Sequence, residues 1–290
     1  MNELSPIDPV SPPAAYIGGK KLLAKRIVDK INATPHNGYA EPFLGMGGVF
    51  FRRDRKPKTE VVNDISGDVT TLFRILQRHY PQFMDTLKFQ ITSRREFERL
   101  AACRPETLTD LERAARFIYL QKTAFGGKVA GRNFGVDKTG GARFNLTRLA
   151  PLLEEVHERL SGVVIERLPW AEFIARYDRP GMLFYLDPPY FGGESDYGEG
   201  VFSREDFGRM AETLAGIRGT FLLSINDRPA IREAFKGFAM EEVSLTYSIS
   251  GGKGTPAKEL VISPDLAIVE CGESTCSRGQ TAGNGSYRDR

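Results

Sequence analysis

Short apolar runs recur along the chain, and polar or glycine-rich segments separate them. The clearest run, residues 182–186, has five consecutive apolar side chains, which is typical of a strand buried on both faces of a parallel sheet. Shorter apolar segments predict further strands at 39–43, 59–62, 163–165 and 221–225. Residues spaced as on one helix face lie between them, at 22–28, 152–160 and 204–217. This alternation predicts an α/β fold with a doubly wound sheet.

The alternation is interrupted in the middle of the chain. Helical patterns at 96–102 and 111–120 lead into a stretch rich in glycine and basic residues, at 126–141, which predicts an inserted, mostly helical subdomain ending in exposed loops. Two late apolar segments, 240–247 and 259–262, predict a terminal hairpin. We therefore divide the chain into a flexible arm (1–13), a catalytic domain (14–75 and 150–270), an inserted subdomain (76–149) and a disordered tail (271–290).

Charge distinguishes the inserted subdomain from the rest of the chain. The 290 residues carry a net charge of only +3, yet eight basic residues and a single acid, Asp137, lie between Arg113 and Arg148. Such a local excess favours a surface that binds a polyanion. A solvated face that binds nothing is the other interpretation of the same run.

The remaining composition limits the class of protein. The three cysteines, Cys103, Cys271 and Cys276, do not form the two pairs of a zinc site, and they predict a reducing compartment without structural disulfides. Residues 1–13 lack the apolar core of a secretory signal, and no apolar stretch approaches ~20 residues. We expect a soluble, cytoplasmic protein without a bound metal.

The most informative residues follow the strand at 182–186. Asp187-Pro188-Pro189-Tyr190 supplies a carboxylate, a rigid turn and an aromatic face at one point. Two prolines cannot continue a strand, so the turn lies at its carboxyl end, where open α/β sheets bind ligands. The alternative is an aspartate that faces solvent and begins a turn.

A second candidate site follows the first strand. Gly45 and Gly47 form a turn after residues 39–43, and glycines there let backbone N–H groups approach a ligand closely. Asp64 ends the next strand, where a carboxylate could accept hydrogen bonds from ribose hydroxyls. A tight structural turn explains the glycines equally well, and Asp64 could instead cap the following helix.

The order of these motifs resembles that of the Dam-like adenine-N6 DNA methyltransferases, the D12 class, in its α arrangement. Tyr16-Ile17-Gly18-Gly19-Lys20 comes first, followed by the Phe-x-Gly-x-Gly loop at 43–47 and by Asn63-Asp64. The inserted segment and then Asp187-Pro188-Pro189-Tyr190 complete the series. The resemblance implies a Rossmann-like methyltransferase sheet in which the insert is a target-recognition subdomain.

The resemblance also implies roles for individual residues. Those expected to hold S-adenosylmethionine are Tyr16, Lys20, Phe43, Gly45, Gly47, Asp64 and Asp187. Those expected to carry catalysis are Asp187 and the Pro188 carbonyl, which would grip the adenine amino group, and Tyr190, which would stack on the flipped base. In the insert, the side chains expected to contact double-stranded DNA are Lys122, Lys128, Arg132, Asn133 and Arg143. Arg132 and Asn133 are of the types that reach guanine and adenine edges, whereas the others suit phosphates.

One position departs from the family pattern. After residues 163–165 the family usually has an acid followed by an aromatic residue, whereas this chain has Pro169-Trp170 near that place. We therefore expect the acidic contact to the cofactor's adenine to be missing, and Trp170 or a backbone group to replace it.

The chemistry of the motif agrees with this interpretation. The amino group of adenine is a poor nucleophile because its lone pair is delocalised into the ring. Hydrogen bonds to a carboxylate and a carbonyl favour a more tetrahedral nitrogen, and positioning for in-line attack supplies most of the catalysis. The base must also leave the duplex stack.

Other functions remain compatible with the sequence. The related alternatives are methylation of cytosine N4, RNA adenine or a protein glutamine, and the alternative from another class is a non-catalytic nucleic-acid-binding module. The resemblance implies a short recognition site containing adenine, with GATC as one candidate, and an origin in a bacterium or a phage. A restriction nuclease as partner and the oligomeric state are not indicated either way.

Overall fold

The protein is described here from a computed structural model, which covers residues 4–16, 18–127, 129, 131–135, 141–194, 201–247 and 255–264. Within these residues the strands are β1 (Ser5–Pro6), β2 (Gly38–Glu41), β3 (Arg55–Lys56), β4 (Thr59–Asn63), β5 (Val164–Glu166), β6 (Met182–Leu186), β7 (Thr220–Asn226), β8 (Ala239–Tyr247) and β9 (Thr255–Ser263). The α-helices are α1 (Ala24–Ala33), α2 (Gly67–Arg78), α3 (Tyr80–Leu87), α4 (Arg94–Ala102), α5 (Asp110–Thr123), α6 (Leu146–Arg159), α7 (Trp170–Tyr177), α8 (Glu205–Ala215) and α9 (Pro229–Ala234).

The main sheet has the doubly wound topology that the alternation of elements predicts. Its strand order is β5-β4-β2-β6-β7-β9-β8, and the first five strands are parallel. The chain runs from β2 outward to β5, then returns to the centre at β6 and runs outward to β7. The strand order therefore reverses between β2 and β6, which is where such sheets open a crevice for a ligand. The α/β fold is confirmed.

Helices cover both faces of the sheet. Alternate residues of β6 pack on opposite sides, Leu183 and Tyr185 in one apolar cluster and Phe184 and Leu186 in the other. Helices α1, α2, α5 and α6 cover the first side, and α7, α8 and α9 cover the second. All five residues of β6 are buried, which explains why its sequence is continuously apolar rather than alternating.

The helical insert packs directly on the sheet domain. Helix α5 begins with a capping box between Thr109 and Glu112 and contacts α2, and its buried residues belong to the same apolar cluster as those of α2. Arg113 forms an ion pair with Asp68 of α2 at 2.6 Å. Arg116 is buried and donates to the carbonyl of Leu100 at 2.7 Å. These two arginines therefore hold the insert in place instead of facing solvent, so they do not contribute to a polyanion surface.

The N-terminal segment differs from the prediction of a flexible arm. Residues Ser5–Pro6 pair with Arg55–Lys56 as a two-stranded antiparallel sheet. The N–H of Val10 donates to the carbonyl of Phe51 at 2.7 Å, and Val10 is buried. Proline and serine suggested mobility, but they also suit an extended strand that follows another segment of backbone. From residue 4 onward the arm is part of the fold.

Other predicted boundaries shift by small amounts. Helix α6 begins at Leu146 and contains Pro151, whereas the pattern predicted a start at 152 because proline usually marks a helix boundary. Leu22 precedes α1 and is exposed. The terminal hairpin is present as the antiparallel pair β8 and β9. The predicted tail, 271–290, lies outside the described residues. None of the described helices is both long enough and apolar enough to span a membrane.

Two buried ion pairs that share Glu60 connect the amino end of the sheet to its surroundings. Glu60 of β4 accepts hydrogen bonds from Arg53 at 2.6 Å and from Arg159 of α6 at 2.7 Å. The Arg53 guanidinium also lies 3.8 Å from the centre of the Tyr39 ring. Because all of these groups are buried, removing Glu60 would leave the positive charges of both arginines without their shared carboxylate.

The glycine turn after β2 depends on the absence of a side chain. Gly47 has a φ of +71°, and a Cβ built there would lie 2.3 Å from the Phe51 ring. Gly126 has a similar φ of +69°, but nothing lies within 4 Å of its Cβ position. Substitutions at these two glycines therefore distinguish the effect of backbone strain from the effect of crowding by Phe51.

We therefore expect Gly47→Ala to destabilise the protein by about 2–4 kcal/mol, because left-handed backbone and overpacking both oppose the new methyl group. The matched variant Gly126→Ala meets only the backbone strain and should cost about 1 kcal/mol. Urea unfolding monitored by circular dichroism measures both. Equal losses in the two variants would contradict the role of Phe51.

Candidate active site at the carboxyl end of the sheet

A cavity of about 900 Å³ opens at the carboxyl ends of β2, β4 and β6. Its wall includes the loops that follow these strands, residues 14–16 and 18–21, the start of α7 and part of α8. The volume is within the range of pockets that hold cofactors and small molecules. The position is the one that the reversal of strand order predicts.

Three carboxyl groups lie at this edge, one at the end of each of three neighbouring strands. Glu41 ends β2, Asp64 directly follows β4, and Asp187 directly follows β6. Burial raises the pKa of Glu41 to about 8 and the pKa values of Asp64 and Asp187 to about 6. The Tyr39 hydroxyl donates to Glu41 at 2.7 Å. Removal from water thus makes all three groups weaker acids than usual.

Lys20 reaches this edge from the loop before α1. Its buried ammonium lies 2.8 Å from Asp187 Oδ1 and donates to the Tyr190 hydroxyl at 2.8 Å. It also lies 3.4 Å from Glu259 Oε2, and the Tyr190 hydroxyl donates to Glu259 Oε1 at 2.5 Å. Ser224 of β7 donates to Asp187 Oδ1 at 3.4 Å. The residue expected to hold the cofactor therefore contacts the catalytic motif itself.

The glycine loop is tied to Asp64. The Gly45 N–H donates to Asp64 Oδ2 and the Ser66 N–H donates to Asp64 Oδ1, each at 2.8 Å. Ser66, not Asp64, caps α2 by accepting from the Val69 N–H, so the helix-cap alternative for Asp64 is wrong. Gly45 has a φ of +52°, and its Cβ position lies 2.9 Å from the Tyr16 ring. This contact brings the first motif onto the glycine loop.

Most of the residues predicted to hold the cofactor are brought together. Those that line the cavity are Tyr16, Lys20, Phe43, Gly45, Asp64 and Asp187. Gly47 packs on Phe51, so it shapes the loop rather than the wall. The catalytic motif borders the cavity through Asp187 and Pro189, with Tyr190 held by Lys20 and Glu259.

Pro169-Trp170, where the sequence departs from the family pattern, lies at the cavity. Leu168 to Ala171 form one wall of the cavity. The next acid, Glu172, is half-exposed and pairs with Arg176 at 2.8 Å along α7, so it does not take the expected place. Asp206 of α8 lines the cavity nearby and accepts from Arg209 at 2.9 Å, and the Arg209 guanidinium lies 5.7 Å from the Trp170 ring centre.

Three of the predicted DNA-contacting residues follow α5: Arg132, Asn133 and Arg143. The Phe125 N–H donates to the carbonyl of Asn133 at 2.9 Å, and Asn133 itself is exposed. Arg132 donates to Gln121 at 3.2 Å and lies over the Phe117 ring. Arg143 donates to the Ala124 carbonyl at 3.3 Å.

Two lysines complete the predicted DNA-contacting set. Lys122 is half-buried, which lowers its pKa. Lys128 lies outside the described residues. Asn133 is accordingly the described member of the set that is most accessible to a partner.

Comparison with known families agrees with the motif order and the fold. The family model of the D12 class N6 adenine-specific DNA methyltransferases matches residues 16–249. The chain belongs to this family. The resemblance that the motifs indicate is thereby confirmed, as is the reaction class, the methylation of adenine N6 in DNA.

Three named methyltransferases are similar to this chain over 72% to 87% of its length. The Type II methyltransferase M.CviBI of Paramecium bursaria Chlorella virus NC1A is 24% identical over 87% of this chain and 96% of its own length. The Type II methyltransferase M1.LlaDCHI of Lactococcus lactis subsp. cremoris is 25% identical over 83% and 89%. The DNA N-6-adenine-methyltransferase of Escherichia phage P1 is 26% identical over 72% of this chain but only 29% of its own.

Two residues of the site in this D12-class chain, Glu41 and Glu259, carry little signal in the sequence. Glu41 is an acid beside a glycine turn, and its position in the middle of a predicted strand was the one available signal. Glu259 is a charged residue next to an apolar run on β9, a pattern that is also typical of an edge strand. Only the three-dimensional structure brings them to Asp187.

The raised pKa of Glu41 predicts a pH-dependent loss of stability. The folded state holds the proton up to a pKa of about 8, whereas an unfolded chain releases it near the ordinary value of 4.5. Stability is therefore lost as pH rises from about 4.5 to 8, by roughly 3–5 kcal/mol. We expect Glu41→Gln to remove most of this loss in urea unfolding at pH 5 and pH 8.5.

The half-exposed Glu172 provides the control. Glu172→Gln should retain the wild-type dependence on pH. If Glu41→Gln and wild type lost the same stability between the two pH values, the Glu41 carboxyl group would not be protonated in the folded state.

Proposed function

We propose that this chain transfers a methyl group from S-adenosylmethionine to N6 of adenine at a short site in duplex DNA, acting on a base extruded from the helix. The observation that carries the proposal is the place of Asp187. It stands at the end of β6, beside a cofactor-sized cavity and directly before the Pro188 carbonyl. We place this activity in the cytoplasm, where bacterial and phage DNA is accessible.

The cavity suits a cationic cofactor. S-adenosylmethionine supplies a methyl group already activated on a sulfonium. Tyr16, Phe43 and Gly45 would border it, and Asp64 would accept hydrogen bonds from its ribose. Glu41 adds a carboxyl group that faces the same space and that a positive charge would help to ionise.

The amine would be held by two acceptors. Asp187 Oδ1 already accepts from Lys20 and Ser224, so we assign Oδ2 to the adenine amino group. The Pro188 carbonyl would accept its second hydrogen. These contacts favour a tetrahedral nitrogen directed at the methyl group, and they stabilise the positive charge that develops on the nitrogen.

Tyr190 would provide the stacking surface for the extruded base. The Lys20 ammonium lies 4.3 Å from the centre of its ring, so the base would use the opposite face. The hydroxyl contacts to Lys20 and Glu259 fix the ring before the base arrives. A pre-positioned ring reduces the ordering that binding would otherwise require.

The insert would bind the surrounding duplex. Arg132 and Asn133 have the geometry for base edges, whereas Lys122, Lys128 and Arg143 suit phosphates. Arg132 rests on Phe117 and Gln121, which limits its rotamers. Such support is what a side chain that reads a base requires.

Incubation of duplex DNA with tritiated S-adenosylmethionine, followed by nucleoside analysis, tests the reaction. We expect label in N6-methyladenine. Asp187→Ala should abolish transfer but change cofactor affinity only several-fold, since the remaining walls of the cavity persist. Label in N4-methylcytosine, or label in RNA or protein but not in DNA, would reject the proposed reaction. An active Asp187→Ala variant would reject the catalytic role of Asp187.

Two variants of the insert test how DNA is read. Arg132→Lys keeps the charge but loses the planar fork, so it should relax sequence choice by roughly 1–3 kcal/mol at one base pair and leave the salt slope unchanged. Lys128→Ala should weaken binding to all sequences and reduce the salt slope by about one. The measurements are methylation rates on duplexes substituted at each position and binding from 50 to 200 mM salt. Identical effects of the two variants would contradict this division.

A further inference from the structure

Glu259 brings a second carboxylate to the catalytic motif from a distant part of the chain. It lies on β9, opposite Asn226 of β7, and is fully buried. Its Oε1 accepts from the Tyr190 hydroxyl at 2.5 Å, and its Oε2 lies 3.4 Å from Lys20 Nζ. Glu259 itself does not line the cavity, but Lys20, which it contacts, does, so any effect on the reaction passes through other side chains.

Lys20 is shared between two carboxylates. Its ammonium is 2.8 Å from Asp187 and 3.4 Å from Glu259, and all three side chains lie in a region largely removed from water. Two carboxylates and one ammonium give the ionised cluster a net charge of −1. A lysine paired with Asp187 alone would neutralise it and weaken its oxygens as hydrogen-bond acceptors.

The charge of Glu259 is not needed for packing. A glutamine of the same shape would still accept from Tyr190, and burying an ionised carboxylate is costly without compensation. The position on β9 therefore carries a charge that the strand itself does not require. Two of its contacts, Lys20 and Tyr190, are tied to the catalytic motif.

We propose that Glu259 is a positioning residue for methyl transfer. It draws the Lys20 ammonium away from exclusive pairing with Asp187 and holds the Tyr190 ring through its hydroxyl. Asp187 thereby stays a strong acceptor for the adenine amine. The inference rests on the proposed function, because it assigns Glu259 a part in that same reaction.

Several other groups face Asp187 and influence the pH dependence of the rate. These are Lys20, Glu259, Ser224, the Tyr185 hydroxyl that pairs with Ser224, Tyr190, and Glu41 across the cavity. Burial raises the pKa of Asp187 to about 6, Lys20 opposes this, and Glu259 adds to it. Loss of the Glu259 charge should therefore lower the pKa of Asp187.

The test is the single-turnover rate of N6-methyladenine formation between pH 5 and 9, with saturating cofactor and duplex. The rate should fall as pH drops through the pKa of Asp187, since the protonated acid cannot accept from the amine. For Glu259→Gln we expect a maximal rate about tenfold to hundredfold below wild type. The acid midpoint should move about 1 pH unit lower, with little change in KM for DNA.

Two further variants separate charge from structure. Glu259→Asp keeps the charge and should keep the wild-type midpoint, but its shorter side chain cannot reach both Tyr190 and Lys20, so its rate should fall. Glu60→Gln removes the buried carboxylate between Arg53 and Arg159. It should lower the unfolding midpoint without moving the acid midpoint of the rate.

Three results would overturn the proposal. A wild-type rate and midpoint in Glu259→Gln, a reduced rate with an unmoved midpoint, or a full rate in Glu259→Asp would each do so. If Glu259→Gln does not fold, Glu259→Asp tests the proposal alone, and a full rate or a shifted acid midpoint in that variant would reject it. Absence of N6-methyladenine with the wild-type protein would instead reject the proposed function, so the two failures are distinguishable.

Discussion

The withdrawal of three carboxyl groups from water is the constraint on which the rest of the structure depends. Glu41, Asp64 and Asp187 stand at the carboxyl ends of three adjacent strands, and burial raises the pKa of each. An isolated buried carboxylate is costly, so each needs donors close by. The backbone N–H groups of the glycine loop serve Asp64, Tyr39 serves Glu41, and Lys20 serves Asp187. Segments that are far apart in sequence are thus held at one edge by the same requirement.

Doubly wound topology makes this concentration of acids feasible. Parallel strands end at the same edge, and helices cover both faces, so the acids line one cavity rather than an open surface. The antiparallel hairpin then adds a contribution that the parallel strands cannot make. Because β9 runs against β7, it brings Glu259 alongside the same edge partway along its length. The hairpin thus extends the sheet and also completes the surroundings of Tyr190.

The sequence predicts a site residue correctly where a local structural pattern and a chemically reactive side chain occur together. An apolar run that ends in Asp-Pro-Pro-Tyr specifies both a strand terminus and a carboxylate, so Asp187 could be placed correctly. Lys20 was predicted at the cofactor, but its pairing with Asp187 depends on a contact across 167 positions, which no local pattern encodes. Glu41 and Glu259 resemble ordinary strand acids. The prediction of a flexible arm is wrong at residues 5–6 for a related reason. Proline and serine indicate the local conformation of the backbone, but not which other segment of backbone it pairs with.

Charge balance links the site to the reaction it is proposed to perform. Lys20 is the cation that pairs with Asp187, whereas the hydrogen bonds that Asp64 accepts from Gly45 and Glu41 from Tyr39 come from neutral donors. On the proposed function, a bound sulfonium cofactor would add a positive charge and lower the pKa values of these carboxyls. Methyl transfer removes the charge on sulfur, so the neutral thioether product loses part of that attraction. The same acids would then favour binding of the charged cofactor over its neutral product. The folding stability lost by burying these acids would be the consequence of that binding preference.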